Sequence, residues 1–244
     1  MRISDLMEKQ IKRSNNDENT FLRQGSANDS NITKSIKGII FDIGGVIIHY
    51  PAEEYYKQLS KNFNIPISAI AAVADPARHE LELGNISLHE MLRTVSTSLN
   101  ININDSEFIK NFKDLARTDL EMVNLIKDLS KNYRLYLLTN ISKAGFALCD
   151  NELRKNNCRF DGKFASFHIH MRKPDPGIYQ YVIREINLKP EELIFIDDKK
   201  RNIDSAVKVG INGIVFNNMS QLIEDLKKLN IVIISDEIRE GNVK

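Results

Sequence analysis

Five short runs of continuous apolar residues constrain the fold of this chain more than any other feature. Each run has the length of a β-strand, and its residues do not alternate with polar ones, which is typical of a strand covered on both faces. Such strands belong to a parallel sheet that has helices on each side. The runs span residues 38–41, 135–138, 164–167, 193–196 and 213–216, and the third of them includes one polar residue, Ser166.

Helical patterns alternate with these runs. Asp119 precedes one stretch of apolar residues at helical spacing, and Asp175-Pro176 precedes another, as an N-cap and a first-turn proline do. Gly210 follows a third pattern, at a point where a helix is expected to end. This alternation predicts an α/β fold with a Rossmann-like parallel sheet.

Residues 51–117 show helical spacing only. Tyr55 and Leu59 share one helical face, and Ser87 with Glu90 forms a capping-box pattern before a further apolar stripe. We therefore predict an all-helical cap at 51–117, inserted into the α/β fold after its first strand.

The rest of the chain divides into a core and a tail. The core is expected to comprise residues 36–50 and 118–244. Residues 1–35 are polar and contain few large apolar side chains, which predicts a mobile tail. A short partner-binding or membrane-surface helix around Leu6 is the alternative.

Charge and composition exclude several classes of protein. The 34 basic residues nearly balance the 33 acidic ones, whereas a protein that binds nucleic acid usually has a basic excess. No apolar run has the length of a membrane span, and the first residues do not resemble a signal peptide. Cys149 and Cys158 are too few for a disulfide framework. We expect a cytoplasmic protein without nucleic-acid or membrane partners.

Polar residues follow the predicted strands where each strand ends. Asp42, Thr139 and the pair Asp197-Asp198 stand at three such ends, and Lys173 lies in a connection nearby. Ligands of open parallel sheets bind at this edge. Two carboxylates about 4 Å apart repel by ~4 kcal/mol at an effective dielectric constant near 20, and a divalent cation would remove that cost. The pattern therefore favours a Mg²⁺ ion and a phosphate.

Four segments, in chain order, resemble motifs I to IV of the haloacid dehalogenase (HAD) superfamily. The resemblance spans about residues 37–217, and the helical stretch after motif I is where this family places a C1-type cap. The first motif is similar to that of phosphatases reading Phe-Asp-X-Gly-X-Val, such as glucose-1-phosphate phosphatases and the phosphatase domain of soluble epoxide hydrolases. The segments are Phe41-Asp42-Ile43-Gly44-Gly45-Val46, Leu138-Thr139-Asn140, Arg172-Lys173-Pro174 and Phe195-Ile196-Asp197-Asp198.

The resemblance implies a Mg²⁺-dependent phosphatase for a small phosphorylated metabolite such as a sugar phosphate. Asp42 would attack phosphorus and form an aspartyl-phosphate that water hydrolyses. Mg²⁺ would be held by Asp42, the backbone carbonyl of Gly44 and Asp198, and Asp197 would support the metal shell.

The resemblance also assigns the groups that bind phosphate. Thr139 and Lys173 would hold the phosphate oxygens, and Lys173 would neutralise charge beside Asp42. The backbone at Gly44 would come close enough to donate an amide. Asn140 would orient either the phosphate or its loop.

Gly44 departs from the family pattern, because most of these phosphatases carry a second Asp there as general acid and base. Losing such a group removes about 10²- to 10⁴-fold in rate. A weak or inactive protein that binds a phosphorylated metabolite or a protein partner is therefore an alternative. A 2-haloacid dehalogenase, which needs neither this Asp nor a metal, is another, but dehalogenases lack the acid pair found at Asp197-Asp198.

Other residues leave the interpretation open. His168 and His170 alternate and are expected on one strand face, as a proton shuttle, a metal pair or surface side chains; His49 is equally ambiguous. Arg78, His79 and Glu82, in the cap, are candidate substrate contacts. We expect a monomer or a weak homodimer.

Overall fold

A five-stranded, wholly parallel sheet forms the centre of the chain in a computed structural model that describes residues 35–50 and 52–234. The strand order is β5-β4-β1-β6-β7, so β1 lies in the middle and pairs with β4 and β6. Four of the five predicted runs coincide with strands to within one or two residues. The strands are β1 (Gly38–Phe41), β4 (Arg134–Thr139), β5 (Gly162–Ala165), β6 (Leu193–Asp197) and β7 (Asn212–Val215).

Helices cover both faces of this sheet. The faces alternate along β1, because Ile39 and Phe41 belong to one apolar cluster and Ile40 to the other. The helices α5, α6 and α10 contribute to the first cluster, and α8 and α9 to the second. Their bounds are α5 (Leu120–Leu129), α6 (Lys143–Lys155), α8 (Pro176–Ile186), α9 (Lys200–Lys208) and α10 (Met219–Lys228). The predicted α/β fold is confirmed.

Four helices fill the stretch between the first strand and the rest of the sheet, as the sequence predicts. They have an apolar cluster of their own, which includes Leu59, Leu81 and Leu92. Ser87 caps one of them through the predicted box with Glu90. We refer to these helices as the helical insert: α1 (Ala52–Phe63), α2 (Ile67–Glu82), α3 (Leu88–Leu99) and α4 (Asp105–Leu115).

A two-residue ladder joins the insert to the sheet. The strand β2 (Ile48–His49) pairs antiparallel with β3 (Arg117–Thr118), so the chain leaves and re-enters the core side by side. This ladder was not predicted, because strands of two residues have no periodicity to detect. It places the insert beyond the end of β1, beside the carboxyl edge of the sheet.

The predicted strand at 164–167 is wrong in its second half. β5 ends at Ala165, and residues Ser166–Ile169 form the short helix α7. His168 and His170 therefore do not share a strand face; His170 has a left-handed backbone, with φ of 54°. The turn is fixed by the Ser166 hydroxyl, which donates a hydrogen bond of 2.5 Å to the Glu82 carbonyl.

Two further predictions concern membranes and the tail. Within residues 52–234, no helix is long and apolar enough to cross a membrane. The predicted mobile tail lies outside the described residues.

Candidate active site

The carboxyl edge of the sheet brings together the side chains that the sequence singles out. Asp42 directly follows β1, Thr139 ends β4, and Asp197 ends β6. Lys173 lies in the loop between α7 and α8. A parallel sheet directs all of these strand ends to the same side, which is why residues far apart in sequence meet here.

Lys173 is the centre of the cluster. Its Nζ lies 3.0 Å from Asp42 Oδ1 and 2.6 Å from Asp197 Oδ2, and it donates a bond of 2.8 Å to the Leu138 carbonyl. Its side chain is only 1% exposed. A buried ammonium needs such partners, since an unpaired buried charge is strongly destabilising.

Asp197 is fully enclosed and organises its neighbours. Its Oδ1 accepts a hydrogen bond of 2.8 Å from the Lys199 backbone N–H, and the Asn202 amide donates to both of its oxygens at 2.9 Å. With Lys173 added, both oxygens are occupied. Asp197 therefore holds the ammonium and the start of α9 in place.

Asp42 is buried but not fully engaged. Its Oδ1 accepts a hydrogen bond of 2.7 Å from the Ile43 backbone N–H besides the contact with Lys173. Its Oδ2 has no hydrogen-bond partner within the described part of the chain. Burial raises the pKa of the Asp42 carboxyl from 3.8 to about 6, although the charge of Lys173 opposes the shift.

Three carboxylates at this edge suit a hard divalent cation. One oxygen from each of Asp42, Asp197 and Asp198 falls within a 4.8 Å cluster. Asp198 Oδ1 is buried without a hydrogen-bond partner among residues 35–50 and 52–234, and Lys199 Nζ lies 4.0 Å from it. Burial also raises the pKa of the Asp198 carboxyl. Oxygen ligands that are poorly solvated and mutually repulsive match the chemistry of Mg²⁺.

The two glycines after Asp42 differ in their surroundings. Gly45 has a φ of +79°, and a Cβ there would lie 2.6 Å from Asp198 Oδ2, so its lack of a side chain lets the loop approach that carboxylate. Gly44 is exposed, and a Cβ there would meet no atom within 4 Å.

Asn140 fixes the loop that carries Lys173. Its Oδ1 accepts a bond of 2.9 Å from the Lys173 backbone N–H, and its Nδ2 donates one of 2.8 Å to the Lys173 carbonyl. Of the two roles predicted for Asn140, this geometry supports orientation of the loop; direct phosphate binding stays a prediction. Thr139 is 2% exposed and lies beside it.

An ion-pair network at the end of α2 was not predicted as a unit. Arg172 Nη2 lies 2.5 Å from Glu82 Oε2, Arg78 Nη1 lies 3.5 Å from Glu82 Oε1, and Arg172 also contacts the His79 ring. Two of the three cap residues proposed as substrate contacts, His79 and Glu82, thus contact the residue before Lys173, and Arg78 joins them through Glu82. A separation of 90 residues between Arg172 and Glu82 leaves no local sequence signal.

His49 and His170 contact groups other than the Asp42, Asp197 and Asp198 carboxylates. His170 Nδ1 donates a bond of 2.8 Å to the Leu83 carbonyl, and His49 Nε2 lies 3.8 Å from Asp119 Oδ2. A metal pair formed by His168 and His170 loses its basis, because the expected strand is absent at these positions.

A cavity of about 740 Å³ opens between the insert and the sheet edge. Gly44, Thr139 and Asp198 line it, whereas Asp42 and Lys173 lie just behind its wall at 5% and 2% exposure. The site therefore combines an enclosed charged cluster with a large adjoining space, as enzyme sites commonly do.

The parallel sheet, the clustered acids with their buried lysine, and the cavity above them define an α/β protein with a candidate active site at the carboxyl edge of its sheet. The family model described as haloacid dehalogenase-like hydrolase matches residues 36–210, and the chain belongs to that family. The resemblance of the four motifs is thereby confirmed.

Known relatives include phosphatases. A sesquiterpene phosphatase of Aspergillus oryzae is 27% identical over 202 residues, which cover 80% of this chain and 97% of that protein. Flavin mononucleotide hydrolase 1 of Arabidopsis thaliana is 25% identical over 216 residues, covering 85% and 84%. The family makes this chain a hydrolase, and these two relatives are named as a phosphatase and a flavin mononucleotide hydrolase.

A solved structure shares the fold. A HAD family enzyme of Bacteroides thetaiotaomicron, in complex with magnesium and inorganic phosphate, superposes with a TM-score of 0.63 at 21% identity. The match covers 77% of this chain and 99% of that one.

Proposed function

We propose that the chain is a Mg²⁺-dependent phosphatase that hydrolyses small phosphomonoesters through an aspartyl-phosphate on Asp42. The observation that carries this proposal is the cluster of Asp42, Asp197 and Asp198 oxygens within 4.8 Å, with Lys173 Nζ 3.0 Å from Asp42 Oδ1. It agrees with the magnesium and phosphate bound in the related Bacteroides enzyme.

The first chemical step falls to Asp42. Its Oδ2 donates a lone pair to phosphorus while the bond from phosphorus to the ester oxygen breaks, and the leaving alkoxide takes a proton from solvent. Oδ1 stays bound to Lys173, which holds the carboxylate in its charged form and in one orientation. Water then hydrolyses the aspartyl-phosphate, releasing inorganic phosphate and restoring the carboxylate.

The other residues position the reacting groups. Asp42, Asp198 and the Gly44 carbonyl would hold Mg²⁺, with Asp197 behind them. When bound, the ion supplies positive charge to the phosphoryl oxygens. Thr139 and the Lys173 ammonium complete the phosphate site in this assignment.

Phosphate release from an aryl phosphate tests the proposal. We expect activity with Mg²⁺, none with a chelator, and none after Asp42→Asn. Asp204→Asn is the matched control, since Asp204 is exposed and its ion pair in the described part of the chain is with Lys200, at 2.6 Å. Turnover that survives Asp42→Asn at the wild-type rate would rule out Asp42 as the nucleophile.

Two alternatives give different results in the same assays. A binding protein, which the missing acid at Gly44 favours, would bind phosphate esters tightly and release no phosphate. A dehalogenase would release halide from 2-haloacids in the presence of the chelator. Asp198 argues against the second, because its buried Oδ1 has no hydrogen-bond partner among the described residues and a cation would satisfy it.

Some sequence predictions remain proposals. We propose a cytoplasmic location, a monomer or weak homodimer, and the division into a core and a cap with the boundaries given above. The names of the two relatives point to different substrates, a sesquiterpene phosphate and flavin mononucleotide. The substrate therefore has to be inferred from the cavity.

A further inference from the structure

The cavity beside the carboxylate cluster has an apolar wall built by the helical insert. All four insert helices contribute large or small apolar side chains to it. They include Leu59 of α1, Ala74 of α2, Leu92 of α3, and Phe108 and Phe112 of α4. Residues on four separate helices face one space of about 740 Å³.

Such a space is costly when it holds only water. Apolar side chains that line it lose the dispersion contacts that a filled interior provides, and water inside finds few polar partners. The phenol oxygens of Tyr50 and Tyr55, which also line the wall, are buried without a hydrogen-bond partner in the described part of the chain. An apolar ligand would complete the packing of the insert.

Three charged side chains on this wall, those of Arg78, Glu82 and Arg117, are already engaged. Glu82 pairs with Arg172 and Arg78, and the Arg117 guanidinium donates to the carbonyls of Asp114 and Ala116. The hydroxyl groups of a sugar need hydrogen bonds when they leave water, and an unmade bond costs more than a net bond contributes. Apart from the Tyr50 and Tyr55 hydroxyls, this wall therefore offers few free hydrogen-bond partners for the sugar phosphate suggested by the sequence.

We propose that the leaving group of the substrate is a long apolar chain, so that the enzyme hydrolyses the phosphate monoester of an alkyl or isoprenoid alcohol. The phosphate lies at Asp42 and Asp198, and the tail lies along the insert. The reaction is ester plus water giving alcohol plus inorganic phosphate, with the bond between phosphorus and the ester oxygen broken. This inference rests on the proposed phosphatase function.

A chain-length series tests the tail. Each methylene that moves from water into the cavity is expected to raise kcat/KM about fourfold, until the tail fills the space. From butyl to octyl phosphate, four methylenes give a rise of about 250-fold. Glucose 1-phosphate and flavin mononucleotide are the polar comparisons, and all esters are kept below their micelle concentration.

The outcomes separate this inference from the proposed function. Hydrolysis of an aryl phosphate with no dependence on alkyl length overturns the apolar tail and leaves the phosphatase intact. If no ester is hydrolysed, the phosphatase fails, and calorimetry with the same alkyl phosphates decides on the tail. An affinity that does not change with chain length would then refute the inference.

Two alanines on α2 provide matched variants. Ala74 and Ala77 are both 8% exposed and belong to the insert cluster, but Ala74 lines the cavity, whereas Ala77 is not part of its wall. We expect Ala74→Leu to lower kcat/KM for octyl phosphate about tenfold and to leave butyl phosphate unchanged. Ala77→Leu should keep the wild-type profile, so an identical profile in both variants contradicts the inference.

A milder variant covers the case in which Ala74→Leu does not fold. Leu88 is half-buried at the start of α3 and also lines the cavity. Leu88→Gln places an amide on the wall without enlarging the side chain much. We expect a selective loss for octyl phosphate, and an equal loss for butyl and octyl phosphate would count against an apolar tail.

Discussion

Restoring the acid at position 44 is the sharpest test of how this site works. In most related phosphatases an Asp there protonates the leaving group, and this chain has Gly44. The structure has room for the change: a Cβ would meet no atom within 4 Å, and Gly44 is not among the glycines with a positive φ. Gly44→Asp therefore adds a carboxyl without displacing the loop.

The expected gain depends on the leaving group. A general acid contributes about 10²- to 10⁴-fold, which corresponds to roughly 3 to 5 kcal/mol of barrier. An alkoxide is a strong base and needs the proton, so kcat for octyl phosphate should rise by at least about 10²-fold. A nitrophenolate leaves without help, so the rate for nitrophenyl phosphate should stay nearly constant.

The new carboxylate also repels its neighbours. A like-charge pair about 4 Å apart costs ~4 kcal/mol at an effective dielectric constant near 20. Mg²⁺ offsets this cost, so the assay is run at saturating Mg²⁺.

Gly44→Asn is the control, since it has the same size and cannot transfer a proton. Equal rates for the Asp and Asn variants would refute the reasoning. An equal gain for the alkyl and aryl esters would do the same, because it would show that the acid is not protonating the leaving group.

Two further predictions concern the metal site and the charge of Asp42. Gly45→Ala should raise the Kd for Mg²⁺ about tenfold or more in calorimetry, because the added Cβ would lie 2.6 Å from Asp198 Oδ2. Gly44→Ala is the control and should leave the Kd unchanged, since its Cβ would meet no atom within 4 Å. Equal Mg²⁺ affinities of the two variants would contradict the close approach of Gly45 to Asp198. The pKa of the Asp42 carboxyl is about 6 in the folded chain against an ordinary value of 3.8, so folding favours the neutral carboxyl. This contribution to the free energy of unfolding is complete below pH 4 and is lost as the pH rises through 6. Relative to Asp42→Asn, the metal-free wild type should lose up to about 3 kcal/mol of unfolding free energy between pH 4 and 7 in urea titrations, and parallel pH curves would exclude the shift.

The central sheet could be predicted because its strands are buried on both faces. A strand in this position has no polar residues except at its ends, so the polar residues that follow the apolar runs mark the site directly. Asp42, Thr139 and Asp197 were found in this way. Their convergence follows from parallel topology alone and requires no knowledge of side-chain contacts.

The prediction of a strand at 164–167 was wrong in its second half for a physical reason. A short apolar stretch has the same pattern in a buried strand and in a buried helical turn. What ends β5 at Ala165 is the next residue, Ser166, whose hydroxyl bonds to the Glu82 carbonyl 84 positions away. Contacts of this range leave no mark on the local sequence. Because β5 ends at Ala165, the strand face predicted to hold both His168 and His170 is absent as well.

The same contacts join the insert to the phosphate site. The carbonyls of Glu82 and Leu83, at the end of α2, accept hydrogen bonds from Ser166 and His170, and the Glu82 carboxylate pairs with Arg172. All three partners lie within seven residues before Lys173. The segment that carries Lys173 is thus hydrogen-bonded and ion-paired to the end of α2, which forms part of the cavity wall.

This connection matters for the reaction rate, because the chain has no acid at position 44 to protonate the leaving group. Without proton transfer to the leaving group, more of the rate must come from holding Asp42, Lys173 and the phosphate in the reactive arrangement. A tail that packs against α2 presses on the helix whose end anchors the Lys173 segment. Binding energy from a remote, unreactive part of the substrate can then be used at phosphorus, which is how binding raises kcat and not affinity alone.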